Sequence, residues 1–208
     1  MLVYKGFDMA RLFTSLLVSL AIFSISHAAS ATQQQINADF EALKTLPQDY
    51  QQFGNICEQV ARLRVQEQYA APQYEVVVGI GYDGHGRTLG ELDVVVFRSS
   101  DNEAILVGEV KCWKNLDAAR AKAESQLRRF EGHINGGSKL FMYTTEERDR
   151  QAFFASQFDE SPQYITVSQD GGEDHGFDMT LGLNMAEVIE LRDMLIHCQA
   201  QGKCPKGR

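Results

Sequence analysis

Short β-branched runs alternate along this chain with stripes of apolar residues at helical spacing. Residues 74–80, 92–97, 104–110, 139–144 and 164–168 read as strands, rich in Val, Ile, Phe and Tyr and bounded by Gly, Ser, Asn and Asp. Residues 49–69 predict an amphipathic helix with Phe53, Ile56, Val60, Leu63 and Val65 as its apolar stripe, broken by Pro72. Residues 116–134 predict a second helix, ended by Gly136-Gly137, with Ala118, Ala121, Leu127 and Phe130 inward. Residues 146–158 predict a third, carrying Phe153, Phe154 and Phe158. Asn184 is expected to cap a final helix reaching about Ala200, with Glu187 in the reciprocal position. A short helix over residues 33–44 would end at Pro47. The order α-β-β-β-α-β, then α-β-α, implies an α/β architecture around a mixed sheet. Its first three strands form a meander, and the next helix crosses over to the 139–144 strand.

One stretch departs from the buried pattern. Residues 90–114 hold two apolar runs around a polar turn at 99–102, a hairpin signal. Asp93, Glu109 and Lys111 interrupt strands that are otherwise apolar. Side chains alternate across a strand, so Glu109 and Lys111 share one face, as do Glu91 and Asp93. Antiparallel pairing would bring Asp93 close to Glu109. Burying such charges costs several kcal/mol unless they are paired or hold a cation.

Asp93, then Glu109-x-Lys111 after a short hairpin, resembles the PD-(D/E)XK nuclease superfamily. The Gly90-Glu91-Leu92-Asp93 phrase before an apolar run is most similar to its RecB-like and resolvase-like members. Glu58 on the upstream helix, and Gln126 with Arg129 on the downstream one, agree with this. The likeness spans roughly residues 50–145, and Leu92 stands where many members have Pro. The resemblance implies a restriction-endonuclease-like α/β sandwich, core αβββαβ, with C-terminal α/β additions. It implies phosphodiester hydrolysis, with DNA the favoured substrate, dependent on Mg²⁺ (or Mn²⁺). Asp93, Glu109 and the Val110 carbonyl would be metal ligands. Lys111 would orient or help deprotonate a water, and Glu58 would reach the metal through water. Gln126 would orient Lys111 or a phosphate, and Arg129 would contact the nucleic-acid backbone. His85 and Arg87, in a Gly-rich turn over residues 81–87, are either phosphate contacts or part of a flexible hairpin tip. Trp113 either packs on the sheet or stacks on a base or sugar. The alternatives are a catalytically silent nucleic-acid- or protein-binding module on the same scaffold, or a structural envelope protein whose buried charges are internal ion pairs.

Charge and compartment narrow these readings. One domain is the expectation for 208 residues. The net charge of −8 argues against a protein that coats nucleic acid, though not against a site with a local basic rim. Residues 1–28 read as a signal peptide: Lys5 and Arg11, an apolar run over 12–25, then Ser26-His27-Ala28. The run is shorter than the ~20 residues of a spanning helix, which favours cleavage over an anchor. Met9 would serve as a more compact start. Residues 29–48 then form a polar lead-in and 49–208 the nuclease-like domain, in the periplasm or outside the cell. Such a compartment permits disulfides among Cys57, Cys112, Cys198 and Cys204. Cys198–Cys204 is the preferred bridge; Cys57 and Cys112 are either paired or small buried thiols. Glu173, Asp174, His175 and Asp178 match no metal-loop spacing and read as a surface loop over 169–178.

Overall fold

The computed structural model describes residues 32–145 and 147–207. The expected signal peptide lies outside the described residues. Residues 32–43 are helical. From Asp39 onward the chain forms one compact unit, and residues 32–38 belong to a separate one. Among the described residues no helix is long and apolar enough to cross a membrane.

The architecture is α/β, built on one six-stranded mixed sheet. The strands are β1 (Tyr74–Gly84), β2 (Arg87–Arg98), β3 (Glu103–Val110), β4 (Phe141–Thr144), β5 (Gln163–Ser168) and β6 (Met179–Thr180). Their spatial order is β4-β1-β2-β3-β5-β6. The β1–β2–β3 meander is antiparallel, β4 pairs antiparallel with β1, and β5 runs parallel to β3. Three α-helices accompany it: α1 (Phe53–Gln68), α2 (Leu116–Asn135) and α3 (Met185–Ala200). As expected, α2 carries the chain from β3 across to β4 at the far side of β1.

Helix α2 starts where the Asn115 side chain accepts the Ala118 N–H at 2.9 Å. Its buried stripe is Ala119, Ala123, Leu127 and Phe130, so the expected Ala118 and Ala121 are replaced by neighbours, and both are exposed. Alanines on adjacent faces left the phase open, and Leu127 and Phe130 fix it by entering the core with Tyr82, Val95, Phe97, Val107 and Met142. Helix α1 runs against β1, β2 and β3, and its buried Ile56 and Val60 lie outside that core cluster. Val94 and Val96, also buried but outside the cluster, fit the same face. The sheet is therefore covered by α2 on one face and α1 on the other. Asn184 and Glu187 cap α3 reciprocally, as anticipated.

Two further expectations fail. Residues 147–158 do not form an α-helix. Phe153 bridges to Met142, and only Ala155–Phe158 makes a 3₁₀ turn. Phe153 stacks on Phe97 at 5.4 Å, while Phe158 meets Phe97 and Phe130 edge-on. Burying those two rings at separate places in the core outweighs local helix preference, and Phe154 is left 56% exposed. The Gly-rich turn is also shorter than expected. β1 continues to Gly84 and β2 begins at Arg87, leaving His85 and Gly86, both at positive φ, as a two-residue hairpin loop.

Candidate active site

The site sits where the sheet forks. β2 and β3 are paired from Arg98/Glu103 up to Val94/Gly108. Beyond that point β2 continues with β1 as far as Arg87/Gly84, while β3 continues with β5 to Val110/Val167. The Lys111 N–H, donating to the Val167 carbonyl at 2.9 Å, keeps the end of β3 on the β5 side. One feature turns Asp93 into the crotch. Leu92 and Val95, three residues apart, both belong to the α2-side core, and Val77 and Ile80 opposite them do likewise. Strict alternation would separate each pair. The slip falls at Gly79, which has φ +70°, and at Asp93, so the alternation grouping Glu91 with Asp93 is interrupted between them.

Past the last ladder pair, the Asp93 carboxylate takes over the role of a strand carbonyl: Val110 N–H donates to Oδ2 at 2.7 Å. Lys111 Nζ then donates to Asp93 Oδ2 (2.9 Å), Glu109 Oε1 (2.7 Å) and the Val110 carbonyl (3.0 Å). The ammonium thus rests on the three groups that the resemblance implies as metal ligands. Glu109 is fully buried, and its second oxygen, Oε2, has no hydrogen-bond partner among the described residues.

Two more carboxyls face this cluster. Glu58 arrives from α1, and burial, then the charges of Asp93 and Glu91, push its pKa up to about 8 against the opposing pull of Lys111. Glu109 is likewise pushed to about 8, first by burial and then by Asp93. Glu91 is raised by burial and by Asp93. Burial would lower the Lys111 pKa, but Asp93 and Glu109 outweigh it and the net shift is upward. Lys111 is accordingly a firmly held ammonium. Four carboxyls share one lysine.

The Cys57–Cys112 disulfide bears on this directly. It is formed, with Cα atoms 6.4 Å apart, and Cys198–Cys204 is the second bridge. Cys57 precedes Glu58 and Cys112 follows Lys111, so the bond ties the helix carrying one site residue to the strand end carrying the other.

The remaining expected residues divide. Gln126 lies half-buried beside the α2 stripe, and its Oε1 also lacks a partner among the described residues. Arg129 is exposed, and its guanidinium lies beside the hydroxyl of Tyr82, a buried ring close enough to Glu109 to feel its charge. His85 and Arg87 are not brought to the cluster: they sit at the hairpin tip, and Arg87 is about 20 Å along the strand from Asp93. Trp113, two residues beyond Lys111, is 43% exposed, and its carbonyl accepts from Gln169 Nε2 at 2.8 Å. In the 169–178 loop, Asp178 accepts from the Thr166 N–H and hydroxyl, and His175 pairs with Asp117.

Sequence reading missed Arg148 and the tyrosines Tyr82 and Tyr143. Arg148 fell in the stretch wrongly expected to be helical, and a lone Tyr in a strand carries no chemical signal. Glu91 was visible in the strand but had no evident partner. Among the described residues no group of three or more His, Cys, Asp or Glu stands at metal-binding geometry; the convergent donors are carboxylates mixed with a backbone carbonyl. Compared with known proteins, the chain matches no family model, no curated protein and no solved structure.

Proposed function

We propose that this protein is a metal-dependent nuclease of the PD-(D/E)XK kind on a restriction-endonuclease-like fold, hydrolysing phosphodiester bonds, DNA foremost. The observation that carries the reading is the charge mismatch at the fork. Glu58, Glu91, Asp93 and Glu109 converge on Lys111, and its three contacts go to Asp93, Glu109 and the Val110 carbonyl. A group of acids with one lysine is compensated by protonation or by a cation. The donors are all hard oxygens, which suits Mg²⁺ or Mn²⁺, and the orphaned Glu109 Oε2 gives such an ion a ready ligand.

Asp93, Glu109 and the Val110 carbonyl would hold the ion. When bound, it neutralises phosphate charge and lowers the pKa of water. With the ion on those oxygens, Lys111 Nζ would be displaced from them and free to orient the attacking water or a phosphate oxygen. Glu58, with a pKa near neutrality, can hold or release a proton beside it. Arg129, beside Tyr82, would contact the polynucleotide backbone. An exported location accords with two disulfides in one small chain.

A silent structural role has one observation in its favour, because Lys111 is saturated by three partners, as in an internal ion pair. The added acids Glu58 and Glu91 count against it, since a structural pair is better served by equal charges. The deciding experiment is a gel assay on linear, circular and single-stranded DNA with Mg²⁺, Mn²⁺ or chelator. Wild type should cleave in metal and stop in chelator, and Asp93→Asn and Lys111→Ala should be silent while still folded. Equal cleavage by all three proteins, after purification from contaminating nucleases, would defeat the proposal.

A further inference from the structure

We propose that Arg148 is a second substrate-phosphate contact, on the face of the sheet opposite Arg129, so that the substrate is a polynucleotide extending past the scissile phosphate on both sides. The inference rests on the nuclease reading above and deepens it.

The register assigns the faces. Tyr82 stands opposite Gly90 and Met142, and Met142 and Tyr82 both lie in the core beneath α2. A side chain at Gly90 would collide with the Tyr82 hydroxyl and the Arg129 guanidinium, so Arg129 lies over that face. Gly81 stands opposite Glu91 and Tyr143. A side chain there would run into the Tyr143 ring, so Tyr143 lies over the other face of the same β1–β2 arm, the face that Glu91 shares.

Arg148 is built onto that second face. Its guanidinium lies 5.4 Å from the Tyr143 ring centre and donates to the Tyr143 hydroxyl at 3.1 Å. It also reaches the Thr88 hydroxyl at 3.5 Å. The Tyr143 hydroxyl in turn donates to Asp83 Oδ1 at 2.8 Å, which anchors it. Glu91 feels the charge of Arg148 as well as those of Asp93 and Lys111, so the arginine belongs to the rim of the acidic cluster. Each flank thus carries an exposed arginine beside a tyrosine hydroxyl, hydrogen-bonded to it in the case of Arg148. An arginine fixed in this way, with donors left over, loses little freedom on gripping a phosphate. In a chain of net charge −8, such local cations are what a polyanion needs in order to approach the acids.

The test compares wild type, Arg148→Ala, Arg148→Lys, Arg129→Ala and Arg150→Ala, the last a neighbouring exposed arginine paired with Glu147. Substrates are bis(p-nitrophenyl) phosphate, a minimal diester, and oligonucleotides with one neutral methylphosphonate placed on either side of the cleaved bond. Arg148→Ala should raise KM for the oligonucleotide about tenfold with kcat little changed, the size of one charge-assisted hydrogen bond. It should leave the minimal diester unaffected, and Arg148→Lys should recover part of the loss. Neutralising one flank should abolish the difference between wild type and Arg148→Ala, and neutralising the other flank should do so for Arg129→Ala. Equal loss on the minimal diester, or sensitivity of both variants to the same flank, overturns the inference. So does an Arg148→Ala protein that behaves like Arg150→Ala while wild type cleaves. A wild type that cleaves neither substrate overturns the nuclease reading, and this inference with it.

Discussion

Two buried ion pairs in this protein look alike in a contact diagram and differ in their arithmetic. Arg64 on α1 pairs with buried Asp39 and gives a further donor to the Leu181 carbonyl at 2.8 Å. One principal anion meets one cation, with Glu67 at its exposed rim. Lys111 also sits on two buried carboxylates and a carbonyl, yet Glu58 and Glu91 crowd the same place, with only the exposed Arg148 near Glu91 to offset them. The first arrangement joins segments far apart in the chain, Asp39, α1 and Leu181. The second is left with more acids than cations in the fork of a sheet, a surplus that protons or, on the reading proposed above, a divalent ion would balance. The balance of charge, rather than burial or hydrogen-bond length, separates a brace from a site.

The sharpest break in the comparison comes from removing one charged partner from each. Lys111→Ala should lower nuclease turnover by roughly a thousandfold or more, about 4 kcal/mol of barrier, read in the metal-dependent cleavage assay. Removing the anion of the balanced pair should act on stability instead. Asp39→Ala should cost about 3–5 kcal/mol in denaturant unfolding by stranding Arg64, with cleavage per folded molecule unchanged. The paired replacement Asp39→Leu with Arg64→Met should recover most of that. Failure to recover would mean that this pair, too, is more than a brace.

The acid excess also predicts an unusual pH dependence. Glu58 and Glu109 titrate near 4.5 when exposed and near 8 in the fold. Between those values the folded state holds protons that the unfolded state releases, so stability is greatest below about pH 4.5 on this account and falls as pH rises through 8. Without metal, Tm should therefore drop between pH 6 and pH 8.5, at about 2–4 °C per kcal/mol. Mn²⁺ should restore it most at the higher pH, because the ion replaces the protons. A flat metal-free curve over that range would show that the carboxyls are already balanced.

The smallest effect compares the two disulfides. Cys57→Ser with Cys112→Ser frees the helix bearing Glu58 from the strand end bearing Lys111. It should weaken Mn²⁺ binding about tenfold by calorimetry, in the range seen for groups that position metal ligands. Cys198→Ser with Cys204→Ser, which opens a loop of sequence separation 6, should leave metal binding unchanged.

Much of the frame was legible because it is written in near neighbours. The 99–102 turn, the Asn184–Glu187 cap and the Cys198–Cys204 bridge each depend on residues within a few positions of one another. Asp93, Glu109 and Lys111 stood out because charges inside apolar strands are costly and therefore conspicuous. The phase of α2 was misread because alanines at 118, 119, 121 and 123 lack the bulk to mark a face. The 146–158 segment was misread because its aromatic residues serve the core individually, at Phe97 and Phe130, and not along a shared stripe. Arg148 was lost with it.

The sequence by itself determined the run of strands and helices, the hairpin, and which three charged side chains had to be accounted for. Only the tertiary structure decided that the sheet parts at Asp93, that Glu91 joins the expected Glu58 in the cluster, that Cys57 bonds Cys112, and that Arg129 and Arg148 stand on opposite faces. The reason is physical. Periodicity, caps and turns are set by forces between residues close along the chain, whereas an active site depends on distant segments whose meeting is fixed by packing and loop closure once the whole core has formed.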